Sequence, residues 1–112
     1  PLTDISDKEI KGEILYVDNF GNCQTNISPE ELKEKNFQIG DSLSLTVENQ
    51  ELTSKWCNNY ENNVGGVGIV TDSWGMISIF LSNGDASKLL NCKDGSKVTI
   101  KAESLTKRLN LK

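Results

Sequence analysis

The chain has 112 residues, of which 36% are hydrophobic and 25% charged, a composition typical of one soluble globular domain with a modest core. Its formal net charge of −4 disfavours a nucleic-acid partner, because an acidic surface repels phosphate backbones. No apolar run reaches the ~20 residues of a transmembrane helix, and no signal peptide begins the sequence. We therefore expect neither a nucleic-acid nor a membrane partner.

The cysteines exclude two further classes of protein. Cys23, Cys57 and Cys92 are an odd number at wide spacing, and the chain contains no histidine. This pattern favours neither a zinc site nor a disulfide framework, so we expect no metal ligands. We interpret the three residues as core or interface thiols in a reducing cytoplasm, which is the expected localisation.

Taken in chain order, the elements predict an all-β fold between a linker (1–9) and a tail (103–112). Two helices are predicted: one begins with a capping box from Ser28 to Glu31 and ends near Lys35, and one is capped by Asp85 and ends near residue 90. Short strands bounded by turn residues are predicted at 13–18, 22–27, 42–48, 51–57, 67–71, 76–81 and 96–102. Six or seven strands with two short helices are typical of a small antiparallel β-barrel or sandwich, here the domain 10–102.

The connections between these strands also carry predictions. A two-residue turn is expected at 49–50 and an Asn-rich loop at 58–63, and no internal repeat is evident. Three turns, at 18–22, 60–63 and 72–75, are rich in acids, amides and aromatics. Alternate strand ends of a small barrel meet at one rim, so we expect the three turns to converge there.

These turns allow two interpretations. Amide edges beside an aromatic face are suited to gripping a nucleobase. Alternatively, the polar residues serve only the turn geometry, and Tyr60 and Trp74 cover the open end of the barrel. No catalytic motif is present, because the serines lack a histidine partner and the glycines at 65–68 open a strand rather than a helix. We expect no catalytic residue in this chain.

The segment at 12–27, GEILYVDNFGNCQTNI, resembles the run G-x-V-x-Y-V-D-x-F-G-N-x-x-T-N-I of a known family. That run opens the C-terminal domain of the S-adenosyl-L-methionine hydroxide adenosyltransferases, which are relatives of the adenosyl fluorinases and chlorinases. Two later segments are similar to the family's N-S-x-G-x-L-E-I and N-x-G-N-A-A-x-L-L, at 72–79 and 83–90. The resemblance covers roughly residues 10–102, in family order.

The resemblance implies a β-barrel that follows an N-terminal α/β domain absent from this chain. S-adenosylmethionine, a substrate rather than a cofactor, would lie between the barrel of one subunit and the α/β domain of its neighbour in a homotrimer. Water or hydroxide would attack the ribose C5′ and expel methionine, leaving adenosine. On this basis the isolated barrel is expected to be inert. The alternative is a stand-alone barrel that acts as a binding or interaction module.

The resemblance also implies roles for individual residues. Asp18 matches a carboxylate that pairs with the methionine ammonium, and Asn22 an amide that hydrogen-bonds the adenine edge. Ser73 matches a hydroxyl near the methionine end. Tyr60 stands near the place of an aromatic that stacks on the base.

Two further matches complete the expected substrate-binding set. The segment from Asn83 to Ala86 matches one whose backbone reaches the adenine. Trp74 is also placed at the substrate, where the halogenases carry an arginine toward the methionine carboxylate. Three other departures from the family pattern are Gln24 in place of an aromatic and Asp72 and Asp85 in place of asparagines.

Overall fold

The computed structural model of the chain describes residues 9–60 and 66–103. Most of the predicted linker and tail, and part of the predicted Asn-rich loop, lie outside these ranges. The described elements are β1 (Glu9–Val17), β2 (Cys23–Thr25), α1 (Pro29–Glu34), β3 (Ser42–Val47), β4 (Gln50–Trp56), β5 (Val67–Thr71), β6 (Ile77–Leu81), α2 (Ala86–Leu90) and β7 (Lys97–Ala102).

The seven described strands close into a barrel in the order β1-β2-β6-β5-β4-β3-β7, which confirms the predicted all-β barrel with two short helices. Closure comes from β7, which pairs with both β1 and β3. One pairing differs from the expected antiparallel pattern: β4 and β5 run parallel, with Lys55 opposite Gly68 and Trp56 opposite Ile69. A parallel pair cannot be joined by a tight hairpin, and ten residues separate the end of β4 from the start of β5 in the chain.

Alternation along the strands separates the core from the outer wall. In β3, Leu43, Leu45 and Val47 are buried, and in β7 the buried residues are Val98 and Ile100. Successive strand residues point to opposite faces, so these side chains fill the barrel interior while their neighbours face outward. The barrel is therefore packed with side chains.

Both predicted helix caps are present. Ser28 Oγ accepts from the Glu31 N–H at 3.2 Å, and Glu31 Oε1 accepts from the Ser28 N–H at 2.9 Å, which completes the capping box of α1. Asp85 caps α2 by accepting from the Lys88 N–H at 3.0 Å. Among the described residues, none of the helices is long or apolar enough to cross a bilayer.

The turn between β3 and β4 lies one residue earlier than expected, at 48–49. Val47 pairs with Gln50, which leaves Glu48 in the turn with a φ of 54°. Glu48 is fixed there by β7, since its N–H donates to the Lys97 carbonyl at 2.8 Å and its carboxylate accepts from the Lys97 N–H at 2.9 Å. This contact between distant residues accounts for the presence of Glu48 in the turn, while Asn49 stays in the turn as expected and Gln50 begins β4.

Candidate functional site

Two hairpin turns of the barrel have the same structure, although the sequence shows no evident repeat. The turn at 18–22 joins β1 to β2, and the turn at 72–76 joins β5 to β6. Each has an aspartate first, an exposed aromatic third and a glycine of positive φ fourth. The aromatics, Phe20 and Trp74, are 78% and 82% exposed. The shared pattern Asp-x-aromatic-Gly is the sequence signal that could have revealed the repeat.

The hydrogen bonds of the two turns correspond one for one. In the first, Asp18 Oδ1 accepts from the N–H groups of Phe20 and Asn22 at 2.8 and 2.9 Å. In the second, Asp72 Oδ1 accepts from Trp74 and Met76 at 2.9 and 3.1 Å. Each aspartate carboxylate therefore accepts hydrogen bonds from two backbone N–H groups of its turn, in place of the strand-to-strand hydrogen bonds that a tight turn cannot form.

A depression of about 130 Å³ lies between these turns. Its floor is a row of side chains from adjacent strands: Tyr16 lies opposite Gln24, and Gln24 lies opposite Ser78. The predicted site residues that line it are Asp18, Asn22, Tyr60, Ser73 and Trp74. Residues from three polar segments that are far apart in sequence, with Tyr60 as the described residue of the second, thus line one depression.

The depression lies on the outer wall of the barrel rather than at the rim expected from the sequence. Gln24 is flanked in β2 by Cys23 and Thr25, which are both fully buried. Because neighbouring strand residues point to opposite faces, the Gln24 side chain points away from the core. The site is therefore built on the outer face of the barrel strands β1, β2, β6 and β5.

Tyr60 forms one side of the depression and rests on a second, smaller apolar cluster. Its ring meets that of Phe80 edge to face, with centroids 5.3 Å apart. Phe80 packs with Cys57 and Val70 outside the main core. Burial raises the pKa of Tyr60, and the charges of Asp72 and Asp18 raise it further, so the phenol stays protonated near neutral pH.

Among the described residues lining the depression, the charged groups are the two carboxylates, Asp18 and Asp72. Asp72 Oδ2 accepts from Gln24 Nε2 at 2.9 Å and from Ser78 Oγ at 2.7 Å. Burial works against its ionisation, but the hydrogen bonds from Ser78, Gln24 and the turn N–H groups outweigh burial and lower the pKa of Asp72. The site is therefore negatively charged at neutral pH.

Replacing Asp72 by Asn tests this arrangement. We expect Asp72→Asn to lower the free energy of unfolding at pH 7 by about 1–2 kcal/mol, because the new amide NH₂ group faces donors rather than acceptors. The folded-state pKa lies below the ordinary value of 3.8, so the stabilisation is complete above about pH 4 and is lost as the pH falls further. Urea unfolding should thus show the two proteins converging in acid.

The exposed Asp94, for which the structure gives no such hydrogen bonds, provides the control for this variant. Asp94→Asn should leave the unfolding free energy at pH 7 within about 0.5 kcal/mol of the parent's. If Asp72→Asn were as stable as the parent at pH 7, the four hydrogen bonds assigned to its carboxylate would be wrong.

The chain resembles known proteins in both sequence and fold. Residues 12–99 match the sequence profile of the SAM hydroxide adenosyltransferase C-terminal domain. The chain belongs to this family. No curated protein matches the chain.

Two solved structures have the same barrel as this adenosyltransferase-family domain. An uncharacterized conserved protein from Thermotoga maritima is 28% identical, with a TM-score of 0.79 over 83% of this chain and 36% of that protein. A conserved hypothetical protein from Thermus thermophilus is 22% identical, with a TM-score of 0.59 over 80% of this chain and 34% of its own, and shows the fold alone. The chain spans about a third of the length of each.

Two residues expected at the substrate from the family resemblance do not line the depression. Ala86 is fully buried in the main core, and Asn83 lies in the turn before α2 with a φ of 58°. This segment leads into α2, whose Ser87 N–H donates to the Gly21 carbonyl of the first turn at 3.0 Å. Backbone contact from Asn83–Ala86 to adenine remains a prediction.

Three other features of this family domain bear on its chemistry. In the part of the chain that the structure describes, no group of three metal-ligating side chains lies together. Trp74 is too exposed to cover the barrel end, which was the alternative role considered for it. Gln24, one of the departures from the family pattern, was not predicted as a site residue but forms the floor. The sequence signal for Gln24 as a site residue was its position two residues after the turn at 18–22.

Proposed function

We propose that this domain forms the barrel side of a binding site for S-adenosylmethionine or adenosine, in an enzyme that converts S-adenosylmethionine and water into adenosine and methionine. Family membership supports the reaction class. The observation that carries the assignment to this surface is the meeting of Asp18, Asn22, Tyr60 and Ser73 around one depression.

The small volume of the depression supports a binding site that is completed by a second domain. Ligand pockets are typically ~300–1,000 Å³, whereas this one holds about 130 Å³. Trp74, which lines it, is 82% exposed, and aromatic side chains are enriched at contact surfaces. The proposed second wall is an α/β domain preceding the barrel, contributed by a neighbouring subunit of a homotrimer.

The hydrogen bonds of the site assign distinct parts to the two carboxylates. A carboxylate offers about four lone-pair sites. Asp72 uses four of them on Gln24, Ser78 and two N–H groups. Asp18 accepts three hydrogen bonds, from two N–H groups and Asn22 Nδ2 at 3.2 Å. Asp18 therefore keeps one acceptor site for a ligand ammonium, whereas Asp72 acts through its charge and by holding Gln24.

Asn22 is positioned to read the adenine edge. Its Nδ2 donates to Asp18 Oδ2, which fixes the orientation of the amide and leaves Oδ1 available as an acceptor. Within the described residues, Oδ1 accepts no hydrogen bond. A carbonyl oxygen with this freedom is a suitable acceptor for the exocyclic amine of adenine.

The charge of the site suits the substrate. S-adenosylmethionine carries a sulfonium and an ammonium, so the two carboxylates favour its binding, and their oxygens, which are held in turns, do not compete as nucleophiles. Displacement at C5′ by water forms the C–O bond of adenosine, breaks the C–S bond, releases methionine as a neutral thioether and gives one proton to solvent. Tyr60, protonated at neutral pH, does not act as the base. In this proposal, the barrel orients the substrate while the partner domain positions the water.

The experiment that tests the proposal is isothermal titration calorimetry of adenosine into the full-length gene product that contains this domain. We expect Asn22→Ala to weaken adenosine binding about tenfold, because one hydrogen bond to the base is lost. Unchanged affinity, with the circular dichroism spectrum retained, would contradict the assignment of Asn22.

Asn19 provides the control for this measurement. It lies in the same turn, is exposed, and does not line the depression. Asn19→Ala should therefore leave the adenosine affinity within about twofold of the parent, the usual range for a surface substitution. A loss equal to that of Asn22→Ala would indicate that the turn was disturbed rather than a ligand contact removed.

A further inference from the structure

Two of the three cysteines are neighbours in space although 69 positions apart in sequence. Cys23 Sγ and Cys92 Sγ lie 3.7 Å from each other. Cys23 is fully buried in β2, while Cys92 lies just after α2 and is partly exposed. Cys57 belongs to the separate cluster with Val70 and Phe80 on the outer wall.

We propose that Cys23 and Cys92 form a dithiol site that a low-molecular-weight disulfide, such as oxidised glutathione, converts into an intramolecular disulfide. A disulfide bond is ~2.05 Å long, so the two sulfurs must approach by about 1.7 Å. Rotation about the two Cα–Cβ bonds supplies movement of this size. The proposal does not depend on the ligand or reaction assigned above.

The chemistry balances as two thiol–disulfide exchanges. Burial raises the pKa of both thiols, so each must first lose its proton to solvent, and the exchange is favoured at alkaline pH. The thiolate of Cys92, the more exposed residue, then attacks one sulfur of oxidised glutathione and releases one glutathione thiolate, which takes up a proton. The thiolate of Cys23 then attacks Cys92 Sγ in the mixed disulfide and releases the second. Overall, the two cysteine thiols are oxidised to one disulfide, and one oxidised glutathione is reduced to two glutathione molecules.

The position of the pair gives the oxidation a structural consequence. Cys23 directly follows the turn at 18–22, which forms one side of the depression. The helix α2 already holds that turn, because the Ser87 N–H donates to the Gly21 carbonyl at 3.0 Å. A Cys23–Cys92 bond adds a covalent link between the same two segments, so the oxidised chain is held more firmly at this side of the site.

Incubating the folded chain with oxidised glutathione tests the proposal. We expect a mass decrease of about 2 Da, one linked peptide pair containing Cys23 and Cys92 after digestion, and a rise in the thermal midpoint of roughly 5 °C or more. A chain that keeps its reduced mass, or a linked pair that contains Cys57, would overturn the proposal. So would an oxidised chain whose thermal midpoint does not rise.

Serine variants separate this pair from non-specific oxidation. Cys57→Ser should still lose about 2 Da under the same conditions. Cys92→Ser, at the partly exposed position, should fold and form no internal disulfide. Formation of an internal disulfide in Cys92→Ser would contradict the assignment, and mapping of the peptides in the unsubstituted chain keeps the test independent of any variant.

Discussion

Replacing Gly21 by Ala is expected to lower the free energy of unfolding by about 3 kcal/mol, a large fraction of a small domain's stability. Two effects add at this position. The φ of Gly21 is +84°, which strains any residue that carries a Cβ. A Cβ placed there would also overlap the carboxylate of Asp85, which caps α2 through the Lys88 N–H.

The second turn provides a control in which only the strain is present. Gly75 occupies the equivalent position with a φ of +81°, and a Cβ on it would meet nothing within 4 Å. Gly75→Ala should therefore cost about 1 kcal/mol, the cost of backbone strain alone. Urea unfolding of both variants under the same conditions measures the difference between the two turns.

Coupling between Gly21 and Asp85 checks the cause of that difference. In an Asp85→Ala background the overlap is gone, so the additional cost of Gly21→Ala should fall towards that of Gly75→Ala. If instead Gly21→Ala and Gly75→Ala were equally stable in the parent background, the Asp85 carboxylate would not lie against Gly21 as it does in the structure.

Much of the fold follows from local patterns in the sequence. Turn residues on either side, together with apolar alternation in strands such as β3 and β7, located the strands within a few positions, and capping residues located both helices, because these signals act over only a few neighbours. The parallel pairing of β4 with β5 was not predicted. It depends on where a ten-residue connection returns the chain, which no local pattern records.

The site was predictable in its residue types but less so in its location. Asp18, Tyr60 and Ser73 were grouped from three polar turns and the family resemblance, and the structure brings them together. Their place on the outer wall follows from the pairing of Gln24 with Ser78, a contact between strands that are 54 residues apart. Ala86 was expected at the substrate through its backbone, which stays a prediction; its side chain lies in the main core, and a small apolar residue at the start of a helix gives no local signal of which side it faces.

The two aspartates show why turn and site residues are hard to separate in such a sequence. Each carboxylate holds its turn through N–H groups and at the same time sets the charge of the depression. A substitution that removes one of them changes folding and binding together. The residues that separate the two properties are those that reach the depression without holding a turn, of which Tyr60 is the clearest.

Replacing Tyr60 by Ala in the full-length gene product is expected to weaken adenosine binding by about 10- to 100-fold, since stacking of a base on an aromatic ring contributes ~1–3 kcal/mol. Tyr60→Phe keeps the ring and its contact with Phe80, so its affinity should stay close to the parent's. The adenosine affinities of the parent, Tyr60→Ala and Tyr60→Phe are compared by titration calorimetry at a temperature well below that of unfolding.

The packing of Tyr60 against the cluster of Cys57, Val70 and Phe80 must be distinguished from its proposed stacking on the ligand. Tyr60→Leu retains an apolar side chain over Phe80 but has no aromatic face, so we expect stability near that of Tyr60→Phe and affinity near that of Tyr60→Ala. If Tyr60→Leu bound adenosine as tightly as the parent, Tyr60 would serve the packing of Cys57, Val70 and Phe80 and would not stack on the base.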